Sequence, residues 1–165
     1  MQEQISSGVV SKHWGLSVPS HERADFLEAA SGKPGEELQI TANSRLVRLN
    51  IAGSGDLLAY IGHNGLMDFS LPITPRQRDA RKREAIILAC ASKQYFSTPL
   101  KSTGASPLVW TTNLMAPEAY VLSAAIDGWI MQETNEQTRL RAATAYDKYQ
   151  DCGLKSANRL FATGW

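Results

Sequence analysis

The 165-residue chain carries 17 basic and 16 acidic side chains for a formal net charge of +1, and 43% of its residues are hydrophobic. This length supports one domain with its own core, and the charge balance argues against a disordered chain, a nucleic-acid binder or a membrane-surface protein. Two cysteines, Cys90 and Cys152, are too few for a disulfide framework and are expected to be free thiols. No window approaches the roughly 18 apolar residues of a spanning helix, so the chain as given reads as soluble. Its compartment is left open: cytoplasmic as it stands, or exported if a signal peptide precedes Met1.

In chain order, residues 1–19 show no sustained hydrophobic period and read as irregular, with Trp14 and Val18 expected on a neighbouring surface. Ser20 is placed to cap a short amphipathic helix that runs to the glycine stop at Gly32. Alternation from Glu37 to Asn50 around Asn43-Ser44 predicts a β-hairpin, so residues 20–55 form a helix plus hairpin. Two apolar runs follow, Leu57 to His63 and Ala85 to Cys90, each expected to be a buried strand, and a third strand is expected over Pro107 to Thr112.

Between the first two strands lies the basic segment Arg76 to Arg83, read as a solvated helix face. Pro117 fits the first turn of a helix reaching about Gln132, which closes a core unit spanning 56–132. Residues 133–165 are read as C-terminal helices, one started by a Thr134/Gln137 capping box and ending near Gly153, the last running from Leu154 to Ala162. Strands alternating with helices predict one α/β domain with a mostly parallel core.

The two apolar runs end on His63 and Cys90, the residue types of a base and a thiol nucleophile. In an open parallel sheet ligands bind at the carboxyl ends of the strands, and neighbouring strands lie about 5 Å apart. His63 and Cys90 would therefore emerge side by side, where an imidazole can take the thiol proton and later protonate a leaving amine. Taken singly, each has a plainer explanation: a small buried hydrophobe for the cysteine and a turn residue for the histidine.

The segments Tyr60-Ile61-Gly62-His63-Asn64-Gly65 and Ile87-Leu88-Ala89-Cys90-Ala91-Ser92 resemble the caspase-like cysteine peptidases, the superfamily of caspases, legumains and gingipains. In that family one hydrophobic strand ends in His-Gly and the next in Ala-Cys. The likeness covers roughly Asp56 to Trp129, and Val109-Trp110-Thr111-Thr112 is similar to the strand whose edge helps form the specificity pocket. It implies a three-layer α/β sandwich and a hydrolase of the cysteine-type endopeptidase class, with a Cys90–His63 dyad, an oxyanion held by backbone N–H groups and no cofactor.

Three departures accompany it. Asn64 separates His63 from Gly65, so the oxyanion donor of that loop falls to either Gly65 or Asn64. His63 and Cys90 are 27 residues apart, against roughly 50 in caspases. The N-terminal strands of the family fold have no counterpart, as in a C-terminal portion or a divergent bacterial-type member, so a partner or a missing N-terminal segment is expected to complete the sheet. The alternative function is a catalytically inactive caspase-like domain that serves as a binding module.

Thr111, Thr112, Glu118 and Asp68 are the candidate substrate-binding residues, with plain explanations beside them: β-propensity for the threonines, a helix-start carboxylate for Glu118 and surface solubility for Asp68. Asp68 and Asp79 are also candidates to orient His63. The expected partner is a peptide or protein substrate, not nucleic acid or membrane, since the Arg76 to Arg83 segment is short and lacks interleaved aromatics. His13, His21, His63, Cys90 and Cys152 show no metal-ligand spacing, and no glycine-rich phosphate loop follows a strand, which also argues against a flavodoxin-like binding domain.

Overall fold

The computed structural model describes residues 20–165. The expectations for residues 1–19, including Trp14 and Val18, and for a capping side chain at Ser20 lie outside the described residues and side chains.

Helix α1 (Ser20–Ala30) is followed by strands β1 (Pro34–Ala42) and β2 (Arg45–Ala52), paired antiparallel as a separate two-stranded sheet. Asn43 and Ser44 both adopt positive φ, 48° and 60°, the twist that a tight two-residue hairpin turn requires. The main sheet has four strands in the order β3 (Leu57–Ile61), β4 (Glu84–Leu88), β5 (Ser106–Thr111) and β6 (Phe161–Ala162). The first three are parallel and β6 runs antiparallel to β5. With helices α2 (Ser92–Thr103), α3 (Ala119–Ile130), α4 (Asn135–Gln150) and α5 (Leu154–Leu160), the described residues form a mixed α/β fold with a mostly parallel sheet and five helices.

Alternation along the strands divides the core into two clusters. Leu57, Ile86, Leu88 and Leu108 pack with Val121 and Ala125 of α3 and Ala142, Ala143 and Tyr146 of α4. Leu58, Tyr60, Ala85, Ile87 and Ala89 pack with Leu27 and Ala30 of α1 and Phe96 and Leu100 of α2. A sheet with both faces buried needs helices on both sides, and these strands are accordingly apolar at nearly every position. Helices α3 and α4 approach closely at Gly128, where an added Cβ would lie 3.2 Å from Thr138 Cα.

Three sequence expectations are corrected. Residues 76–83 form no helix; they belong to an irregular strap three of whose arginines are tied down. Arg78 pairs with Glu28, Arg81 with Asp56, and the buried Arg83 with Asp79 and the Gly53 carbonyl. The partners are distant in sequence, so no local period announces this strap. Pro117 lies before α3 rather than in its first turn, and Glu118 occupies the N-cap position. The end of the last predicted helix unwinds into β6, because Phe161 and Ala162 pair with Thr111 and Trp110 at the sheet edge. The Thr134/Gln137 capping box forms as expected, with both reciprocal bonds present. Among the described residues no helix is long and apolar enough to cross a membrane.

Candidate active site

Register brings His63 and Cys90 to one edge. Ile61 pairs with Leu88, and Gly62 N–H donates to the Leu88 carbonyl at 3.1 Å, which carries the pairing past the last strand residues. Gly62, at φ 148°, turns the chain out of β3, so His63 and Cys90 follow the carboxyl ends of adjacent parallel strands.

Cys90 lies between β4 and α2, half-buried. Ala91 caps α2 in the left-handed conformation, φ 47° and ψ 36°, which is uncommon for a residue with a Cβ. The turn is held from several sides: Ala91 N–H donates to the Asn113 carbonyl at 2.9 Å, and Ser92 Oγ donates to the Ile87 carbonyl at 2.8 Å. Cys90 therefore stands beside the N-terminus of a twelve-residue helix, whose partial positive charge favours negative charge developing there. The Cys90 thiol donates to the Met115 carbonyl at 3.5 Å rather than to His63.

His63 is exposed, but its surroundings are ordered. Its Nε2 lies 2.6 Å from Asp68 Oδ2, and its carbonyl accepts from Tyr60 Oη at 2.6 Å and from Gly65 N–H at 3.1 Å. A 3-10 turn, Gly65–Met67, folds the chain back and returns Asp68 to the imidazole. An Nε2–H donated to Asp68 leaves Nδ1 as the lone-pair nitrogen, the one free to accept a proton. Beneath the loop, Tyr60 packs with Phe26 and Phe96, ring centroids 5.7 and 5.6 Å away.

Asn64 is fully buried. Its Nδ2 donates to the Cys90 carbonyl at 2.5 Å and its Oδ1 accepts from Leu66 N–H at 3.1 Å, so one carboxamide joins the histidine loop to the cysteine turn.

The other sequence candidates separate. Asp68 engages His63 through Oδ2, and its side chain is half exposed. Asp79 does not reach His63; the Arg83 guanidinium beside it holds its carboxyl at about 2, well below the usual carboxylate range. Thr111 is buried, with its hydroxyl bonded to the Ala89 carbonyl and to Ser92, so it ties β5 to the cysteine turn instead of facing a ligand. Thr112 Oγ1 donates to the Arg159 carbonyl at 2.7 Å and secures the C-terminal segment. Glu118 is half-buried at the start of α3 and makes no side-chain capping bond. The Gly65 N–H donates to the His63 carbonyl at 3.1 Å.

Sequence reasoning missed the Asn64 carboxamide as a tie, the Tyr60 hydroxyl and the Met115 carbonyl. Asp68, a sequence candidate to orient His63, lies 2.6 Å from its Nε2. Among the described residues no three His, Cys, Asp or Glu side chains are grouped to hold a metal ion. Comparison with known proteins finds no matching family model, no matching curated protein and no matching solved structure.

Proposed function

We propose that this chain is a caspase-like α/β domain acting as a cysteine peptidase, with Cys90 as nucleophile, His63 as acid/base and Asp68 as the group that orients His63. The observation that carries the reading is the 2.6 Å contact between His63 Nε2 and Asp68 on a loop clamped to the Cys90 turn. A histidine that served only as a turn residue would need neither an orienting carboxylate nor a buried tie to a cysteine.

In the proposed reaction His63 Nδ1 takes the thiol proton, and the thiolate attacks the scissile carbonyl carbon. The C–S bond forms as the carbonyl electron pair moves to oxygen. Among the described residues the backbone N–H of the half-buried Cys90 has no acceptor, and it is the candidate donor to that oxyanion. Collapse expels the amine, which takes the proton from the His63 imidazolium. A water molecule, deprotonated by the same imidazole, then attacks the thioester, releasing the carboxylic acid and restoring the thiol.

The test is labelling by a peptidyl electrophile that acylates active-site thiols. Cys90 becomes labelled; labelling vanishes in Cys90→Ala and falls at least about tenfold in His63→Ala, at the low end of what a positioned base contributes. Labelling confined to Cys152 overturns the proposal.

A second reading rests on the Cys90 thiol's bond to Met115. If that bond persists with substrate present, the domain is an inactive binding module, and Cys90→Ala then leaves peptide binding intact while no turnover is seen in the parent.

A further inference from the structure

We infer that Asn64 is a positioning residue whose carboxamide sets the spacing between the His63 loop and the Cys90 turn. The inference rests on the peptidase reading above.

Burying a carboxamide is unfavourable unless its polar atoms are bonded, and Asn64 meets that demand at both ends. Its donor faces the carbonyl of the nucleophile itself, and its acceptor holds the N–H that opens the turn leading to Asp68. The Asn64 backbone, φ −81° and ψ 84°, forms an inverse γ-turn that returns Gly65 N–H to the His63 carbonyl. That carbonyl also accepts the Tyr60 hydroxyl. The histidine is thus anchored to the sheet through Tyr60, and the cysteine is anchored to the histidine loop through Asn64. A glycine following His63 could supply a backbone N–H but could not bridge the two loops.

The consequence is mechanical. His63 is exposed, and its side chain rests on a carboxylate that is itself half in water, so that contact alone holds it weakly. The buried Asn64 bond is the tie that fixes where the loop lies against Cys90. Misplacement of about 1 Å in such a constellation costs on the order of a hundredfold in rate.

The test measures alkylation of Cys90 by iodoacetamide near pH 7 in a Cys152→Ser background, because Cys152 is exposed and would react as well. Four proteins are compared: the parent, His63→Ala, Asn64→Asp and the double variant. Asn64→Asp keeps the shape but turns an acceptor toward the Cys90 carbonyl. His63→Ala is expected to slow alkylation about tenfold, Asn64→Asp to slow it comparably, and the double variant to be no slower than either, since both act through one unit. If the His63→Ala effect is as large in the Asn64→Asp background as in the parent, Asn64 only packs and the inference is overturned. If His63→Ala leaves the parent rate unchanged, the peptidase reading itself fails and takes the inference with it.

Should Asn64→Asp not fold by circular dichroism, the parent protein still decides. The Asn64 Nδ2 proton resonances are expected to shift both on alkylation of Cys90 and in His63→Ala, whereas resonances indifferent to both changes overturn the inference.

Discussion

A carboxylate five residues after a histidine is unremarkable in sequence, yet one 3-10 turn returns Asp68 to His63 Nε2 at 2.6 Å. Asp68→Asn keeps the shape but can present its N–H to the ring, favouring the tautomer in which Nδ1 carries the proton. On the proposed peptidase reading, turnover is expected to fall on the order of tenfold or more with little change in substrate binding, read as a loss in kcat at similar KM. The cysteine turn makes a second prediction at this scale. Ala91 sits at φ 47°, where a β-branched side chain is strongly disfavoured. Ala91→Val should destabilise by about 1–3 kcal/mol, whereas Ala91→Gly should leave the melting temperature within a few degrees of the parent. Denaturant titration of both variants checks this. His63 and Cys90 were legible as a pair because each ends an apolar run. Asn64 was legible only as an interruption of the His-Gly pattern, since its role depends on a carbonyl 26 residues away.

Among the elements, the strap before β4 is the one whose nature changed most between sequence and structure. Its basic residues suggest a solvated face, but Arg83 is buried and spans the Gly53 carbonyl and both Asp79 oxygens. Arg83→Met leaves the buried Gly53 carbonyl without its donor and should cost about 1–3 kcal/mol of unfolding free energy, the cost of an unsatisfied buried polar group. The same pair predicts a pH response. The folded-state carboxyl of Asp79, hydrogen-bonded to Arg83, is depressed to about 2 from an ordinary 3.8. Its contribution to stability is therefore full above about pH 4 and is lost as pH falls toward 2. Equilibrium denaturation of the parent and Asp79→Asn should show a gap at pH 7 that narrows between pH 4 and 2. A gap that stays constant over that window would disprove this account.

For the whole molecule, the C-terminal segment adds the antiparallel edge strand β6 to the sheet. Phe161 is buried edge-on against Tyr146, and Trp165 meets Trp110 edge-on at 5.6 Å between ring centroids. Phe161→Ala should destabilise by about 3–5 kcal/mol, as for aromatic truncations in cores, and thermal unfolding measures it. By itself the chain determined that strands and helices alternate, that the hairpin turns at Asn43-Ser44, that Thr134 starts a helix, and that a histidine and a cysteine each end an apolar run. These depend on local period and turn chemistry, which a sequence carries directly. Only the tertiary structure decided that β6 joins the sheet at its edge, that Arg78, Arg81 and Arg83 hold an irregular strap, that Thr111 holds the cysteine turn, and that Asn64 ties the histidine loop to Cys90. Each of those depends on partners brought together by burial and by the need of buried polar groups for hydrogen bonds, and no local pattern records which partner a distant segment will supply.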